Sequence, residues 1–233
     1  MIQKQAAICA ILLTVSSAFC GTAFAAPLQG TEKAAVSAES ALHVDSSRWN
    51  YDKDNDIYYQ IGLVYCKNPA ASEYESLSVY VPGAYMKGTP NTDGTYTCQI
   101  SDKGKVGEYT ARTAPVIMPV NTGGYAAQKA PSSYAPKGLN TYLSQGFVYV
   151  FAGCRGRDNS TNPDGTTFDG GAPWGVTDLK AAVRYLRYND SFLPGNKDRI
   201  FTFGHSGGGA QSALMGATGD SELYRPYLDS IGA

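Results

Sequence analysis

The run RIFTFGHSGGGAQSALMGA, Arg199 to Ala217, sets one serine, Ser206, among glycines at 204, 207, 208 and 209. A short apolar stretch with Ile200, Phe201 and Phe203 precedes it and small helix formers follow it, so Ser206 falls between an expected strand and an expected helix. In that setting Gly204-His205-Ser206-Gly207-Gly208 fits G-x-S-x-G, the elbow that raises a nucleophilic serine above the end of a sheet. The need for glycine is steric. A turn this sharp strains the backbone of the serine, and the residues two before and two after must lack side chains for strand and helix to approach. Gly204 and Gly208 fill those positions, and Gly207 would direct its N–H at an oxyanion forming on a carbonyl attacked by Ser206. A nucleotide-binding loop also puts glycines between strand and helix, but GHSGGG lacks both the G-x-G-x-x-G spacing and a Lys-Ser/Thr ending. A glycine-rich turn with an incidental serine is the reading without chemistry.

An oxyanion hole needs a second donor, which on such a sheet comes from the loop after an earlier central strand. Asn121-Thr122-Gly123-Gly124-Tyr125 follows the apolar run Ala114 to Val120, and Gly123 or Gly124 is the candidate. The base is the missing part. A serine nucleophile needs a histidine, with an acid to orient it, in the chain order serine, acid, histidine. The chain has two histidines. His205 adjoins Ser206 in the elbow, where successive side chains diverge, and His43 falls in an expected leader. The chain after Ser206 leaves no room for further strands before Ala233, so the expectation is a fold cut short, its acid and histidine lying beyond that residue.

The elements that must hold these groups are legible. Ile57 to Cys66 and Leu77 to Val81 carry aromatic and branched residues at strand spacing, the second closed by Pro82-Gly83. Asn91 to Gly94 marks a turn leading to a strand over Thr95 to Ile100. Ala114 to Val120 and Gly146 to Ala152 are continuous apolar runs, the mark of parallel strands buried on both faces. Val176, Leu179, Val183 and Leu186 recur at helical spacing over Val176 to Asn189, with Thr177 as the expected cap and Lys180, Arg184 and Arg187 on other faces. Ile200 to Phe203 is the next buried strand. The reading is a doubly wound, mostly parallel α/β sheet with antiparallel N-terminal strands.

Composition is that of an ordinary globular chain: 233 residues, 43% hydrophobic, 17% charged, formal net charge -1. No cluster of Lys or Arg forms a nucleic-acid footprint, and Arg155 with Arg157 reads as a solvated pair. Arg155-Gly156-Arg157-Asp158 follows a strand at the end of the sheet where the site should lie, as a structural frame under it, a contact to substrate, or surface salt links. Trp174 and the tyrosines are of a type that stacks on aromatic substrates. Residues 1–25 read as a signal peptide: Lys4, an apolar core from Ala6 to Val15, and small residues at Ala23 and Ala25. That core is too short for a comfortable membrane span. Residues 26–48 read as a disordered leader and 49–233 as the partial catalytic domain. Cleavage after Ala25 leaves Cys66, Cys98 and Cys154, of which Cys66 and Cys98 are candidates for a disulfide in an oxidising compartment. No histidine or cysteine pair has metal-ligand spacing, so neither a metal nor another cofactor is expected.

From about Trp49 onward the sequence resembles the amino-terminal half of bacterial tannases, tannin acyl hydrolases of the α/β-hydrolase superfamily often grouped with feruloyl esterases. LSVYVP, APVIMPVNTGGY, FAGCRGRDN, GAPWGVTDLKAAVRYLRYND and RIFTFGHSGGGAQSALMGATGDSELYRPYL carry the resemblance. It implies an α/β-hydrolase fold and hydrolysis of galloyl and related aromatic esters through an acyl-serine, with Ser206 matching the nucleophile. It also implies that the loop aligned with Thr122 to Tyr125 supplies the second oxyanion donor. The family's acid, histidine and most groups gripping the phenolic ring have no counterpart in these residues. A feruloyl esterase, a general carboxylesterase, a serine peptidase of the same fold and a non-catalytic truncated product remain as alternatives.

Overall fold

The computed structural model describes residues 42–159, 164–166 and 171–233. Along the chain run β1 (Asn50–Asp52), β2 (Ile57–Val64), β3 (Ser76–Pro82), β4 (Met86–Pro90), β5 (Tyr96–Ile100), β6 (Lys105–Val106), β7 (Tyr109–Thr110), β8 (Pro115–Val120), β9 (Val148–Ala152) and β10 (Asn196–Gly204). The helices are α1 (Asn140–Leu143), α2 (Trp174–Tyr188), α3 (Gly207–Ala217) and α4 (Arg225–Ile231). Six strands form one sheet in the order β1-β2-β3-β9-β8-β10, antiparallel from β1 through β9 and parallel from β9 through β10. The chain thus has the α/β-hydrolase fold, its parallel strands carrying the elbow.

Alternation along the strands divides two apolar layers. Leu77, Val79, Val81, Val116, Met118, Val120, Val148, Val150 and Ala152 point one way and meet Leu179, Ala182, Tyr185 and Leu186 of α2. Each such valine or leucine taken fully out of water contributes about 1.5–3 kcal/mol. On the other face Ile57 and Tyr80 pack with Leu139 and Leu143 around α1, beside Tyr59, Tyr134 and Tyr149. Every residue of β8 is buried, as its unbroken apolar run requires.

Several expectations need correction. β10 pairs with β8 alone, and α3 covers only the face bearing Ile200 and Thr202, so Phe201 (52% exposed) and Phe203 (42%) are not buried. Helix α2 starts at Trp174, two residues before the expected Val176. Thr177 therefore sits inside it, donating its hydroxyl to the Pro173 carbonyl (3.0 Å) instead of capping it. Lys180 is buried with its ammonium on the Thr218 carbonyl, so this face of α2 is not purely solvated. The turn at Asn91 to Gly94 joins β4 to β5, a hairpin partner that sequence did not reveal.

Packing begins at Leu42, ahead of the expected boundary at Trp49. Val44 is buried and its N–H donates to Asn189 Oδ1 (2.8 Å), while Asn189 Nδ2 donates to the Leu42 carbonyl (2.9 Å). His43 stacks on Tyr188 with ring centroids 4.7 Å apart. The expected signal peptide and the first part of the expected leader lie outside the described residues. Cys66, Cys98 and Cys154 are buried free thiols, so the Cys66–Cys98 bridge is not formed. Cys66 follows β2 beside Glu75, whereas Cys98 faces Gly88 in the separate β4–β5 hairpin. Burial pushes all three thiols up, Cys98 and Cys154 to about 12.

Arg155 belongs to neither solvent nor a surface pair. Its side chain is fully buried, as are those of its partners Asp178 and Glu75. Nε and Nη2 donate to Asp178 Oδ2 (2.9 Å) and Oδ1 (2.7 Å), Nη2 lies 3.2 Å from Glu75 Oε1, and the Arg155 N–H donates to Asp178 Oδ2 (2.8 Å). The guanidinium carbon lies 4.1 Å from the centre of the Trp174 ring, which is buried and withdrawn from any substrate. Burial pushes the Glu75 carboxyl upward, Asp178 adds to that, and Arg155 opposes both. One cation thus holds two buried carboxyl groups. Arg155→Met, which leaves both carboxyl groups without their cation, is expected to destabilise the fold by about 3–5 kcal/mol, read as a lower midpoint in urea at pH 7. A midpoint equal to wild type would contradict the role of the triad.

Candidate functional site

The end of β10 and the start of α3 meet at Ser206, which holds φ 53° and ψ −121°. A non-glycine residue in that region stores about 1–3 kcal/mol and persists only where its surroundings fix it. Ser206 is solvent-exposed and precedes the first residue of α3, whose leading N–H groups have no intrahelical acceptor.

What fixes the turn is contact with β8 and the loop after it. A Cβ built on Gly204 would lie 2.2 Å from the Val120 carbonyl oxygen, and one on Gly208 only 2.0 Å from the same atom. A Cβ on Gly207 would lie 2.4 Å from the Thr122 carbonyl oxygen, 2.6 Å from Tyr125 N and 3.2 Å from Gly124 N. All three glycines are therefore required by close backbone approach, and the elbow is seated on the last residues of β8.

The loop Asn121 to Tyr125 closes as a single 3-10 turn over Gly123 to Tyr125. Tyr125 N–H donates to the Thr122 carbonyl (2.9 Å) and Ala126 N–H to Gly123 (3.2 Å), so the turn's own bonds do not use the Gly124 amide. Gly124 has φ 60° and its nitrogen is next to Gly207, whereas Gly123 is surrounded by open space. The structure brings Ser206, Gly204, Gly207, Gly208 and Gly124 together, with Gly123 at the outer side of the loop. It brings no imidazole to Ser206 as a base: His205 is exposed in the elbow itself, and His43 Nε2 is 3.0 Å from the Tyr188 hydroxyl at the far end of α2.

Three polar side chains that sequence reasoning missed hold this ground. Gln128 is buried, accepts the Asn121 N–H on Oε1 (2.5 Å) and donates Nε2 to the carbonyls of Pro119 (3.3 Å) and Ala152 (2.5 Å), tying the ends of β8 and β9 together. Thr122 and Gln211 bond to each other beneath the loop. The one available signal was Gln211 itself, a long polar residue in a helix otherwise made of small and apolar types. Arg157 stands beside the loop, its Nη2 3.5 Å from a Cβ position on Gly124, and Asp158 accepts the Ala127 N–H (2.8 Å). A cavity of about 550 Å³ lined by Leu42, Tyr65, Arg184 and Tyr188 lies at the opposite end of α2, with no nucleophile and amide pair to give it chemistry. Among the described residues no group of His, Cys, Asp and Glu is arranged to hold a metal ion.

An exposed hydroxyl, a helix N-terminus behind it and a second backbone amide beside Gly207 are the groups that stabilisation of a tetrahedral adduct on Ser206 would use. Comparisons with known proteins point to ester hydrolases. The family model BD-FAE, an esterase family, matches residues 106–230. A tannase from Fusobacterium nucleatum is similar at 32% identity and TM-score 0.67, over 82% of this chain and 39% of its own. A tannase from Lactobacillus plantarum is similar at 31% identity and TM-score 0.68, over 85% of this chain and 40% of its own. A tannin acyl hydrolase solved with ethyl gallate is 37% identical with TM-score 0.61, over 76% of this chain and 36% of its own. The chain thus spans about two fifths of the length of these solved relatives. No curated protein matches it.

The steric account separates glycines that sequence alone treats alike. Gly208→Ala must displace the Val120 carbonyl and is expected to destabilise by about 1–3 kcal/mol. Gly216→Ala, in the same helix with nothing within 4 Å of its Cβ position, is expected to stabilise by about 0.5–1 kcal/mol. Urea unfolding of the two variants reads the contrast, and equal midpoints would contradict it.

Proposed function

The chain belongs to the BD-FAE family, esterases of the α/β-hydrolase fold similar to bacterial tannases, and on that premise we propose that it carries the nucleophile of an exported serine esterase acting on galloyl esters. The observation that carries this reading is Ser206, exposed and strained at φ 53°, with the amide of Gly124 brought beside Gly207. Ser206 Oγ attacks the ester carbonyl carbon as its proton passes to a histidine base. The carbonyl π pair moves onto oxygen, held by the N–H groups of Gly207 and Gly124. Collapse of this adduct breaks the bond to the alcohol, which departs with the proton and leaves an acyl-serine. Water then releases the acid and restores the hydroxyl. Neither His43 nor His205, the two histidines of these 233 residues, is placed to be the base, so a histidine and an acid carried elsewhere in the protein are proposed to complete the site. An aromatic ester is favoured as substrate because a similar protein is solved with ethyl gallate.

The protein as its gene encodes it is expected to release gallate from methyl gallate, and Ser206→Ala to lower kcat by at least about 1000-fold with the fold intact. Turnover by Ser206→Ala equal to wild type would rule out the nucleophile. Preference for methyl ferulate or short acyl esters would move the assignment to a feruloyl or general carboxylesterase. Export is proposed from Lys4, the apolar Ala6 to Val15 and the Ala23-Phe24-Ala25 site, and no helix among the described residues is long and apolar enough to cross a membrane. N-terminal sequencing of the mature protein is expected to begin at Ala26; a chain still beginning at Met1 would contradict cleavage.

A further inference from the structure

Only three residues of α3 are buried: Gly207, Gly208 and Gln211. They lie on one face, since residues three and four apart on a helix are neighbours, and that face is the one pressed against the loop from Val120 to Tyr125. The two glycines let the backbones touch. Gln211 adds the one long polar side chain there, and its Oε1 accepts the hydroxyl of Thr122 at 2.5 Å. Thr122 is fully buried and Gln211 is 6% exposed. A hydroxyl taken out of water at this depth needs its partner, so the bond holds in place whichever backbone carries it. On its other side Gln211 cannot retreat. A Cβ on Gly175, in the first turn of α2, would lie 2.4 Å from Gln211 Nε2 and 2.9 Å from the Arg155 carbonyl oxygen. The amide is thus wedged between α2, anchored by the Arg155 and Asp178 pair, and the residue that opens the glycine loop.

We propose that Gln211 and the Thr122 hydroxyl form a strut that sets the position of the Gly124 amide relative to Ser206. Both are then positioning residues for the esterase reaction. The inference rests on the reading of this site as an acyl-transfer site. Thr122 supplies the carbonyl that accepts the Tyr125 N–H, so any movement of Thr122 carries the whole turn, and Gly124 within it, away from Gly207. The ester ground state needs the loop little. The tetrahedral adduct needs its amide at hydrogen-bond distance, and a misplacement well under 1 Å is felt in rate.

The test uses the protein as its gene encodes it, with methyl gallate as substrate and two inhibitors. Phenylboronic acid forms a tetrahedral adduct on an active serine, whereas gallate, the product acid, stays planar. Thr122→Val keeps the shape and removes the hydroxyl. It is expected to lower kcat about tenfold with KM within about twofold, and to weaken phenylboronic acid about tenfold while gallate binds as before. Thr122→Ser, which restores the hydroxyl, is expected to recover most of kcat, and Gln211→Met to behave as Thr122→Val does. Wild-type kcat in Thr122→Val would overturn the strut. So would parallel loss of affinity for both inhibitors with no rescue by Thr122→Ser, which is the pattern of a loosened fold. A wild-type protein that turns over methyl gallate keeps the function reading whatever the variants do. One that hydrolyses no ester overturns that reading and the strut together.

Discussion

One carbonyl oxygen governs the geometry of this chain. The last residue of β8, Val120, turns its oxygen toward the crossing of β10 and α3, where Cβ atoms on Gly204 and Gly208 would come within 2.2 and 2.0 Å of it. Strand, turn and helix can share that space only if both positions are bare. With them bare, α3 departs so close to β8 that Ser206 is forced to φ 53°, and its hydroxyl is left exposed. The strain of the serine and the absence of two side chains are the same fact seen from two sides.

The glycine crossing fixes distance but not depth or angle, and buried polar groups supply those. Gln128 binds the ends of β8 and β9 from below the sheet's carboxyl edge. Gln211 meets Thr122 from α3, and Arg155 clamps the segment after β9 to α2 through Asp178 and to β3's approach through Glu75. Each is buried at a cost that only full pairing offsets. They stand together where the parallel strands end, while Gln60, Asn189 and Lys197 are buried polar groups at other places in the fold. These bonds tie together the loop and the elbow, the two segments whose relative position decides whether two amides converge on one oxygen.

What the sequence disclosed follows from which signals are local. β8 was visible because a strand covered on both faces reads as an unbroken apolar run, β9 shows the same run although Tyr149 and Phe151 stay half-buried, and the elbow was visible because glycines flank one serine between strand and helix signals. The Asn121 to Tyr125 loop was visible by its glycines, yet the choice of Gly124 over Gly123 depends on where Gly207 sits, a tertiary fact. Arg155 looked like half of a solvated pair because its partners are distant in sequence, at Glu75 and Asp178. Val44 and Asn189 meet across most of the chain, so a leader poor in apolar residues concealed its own docking. An expected oxidising compartment suggested a bridge, and strand pairing set Cys98 in a different hairpin. Phe201 and Phe203 have the strand pattern of buried residues, but exposure is set by what lies beside β10, which the strand's own residues do not encode.

The proposed reaction depends on one atom, Ser206 Oγ, being the group that is acylated. Treating the protein as its gene encodes it with a fluorophosphonate, followed by digestion and mass spectrometry of the peptides, locates that group directly. A single phosphonyl adduct on Ser206, formed as esterase activity is lost, is the predicted result. An adduct on another residue, or loss of activity with Ser206 unmodified, would contradict it.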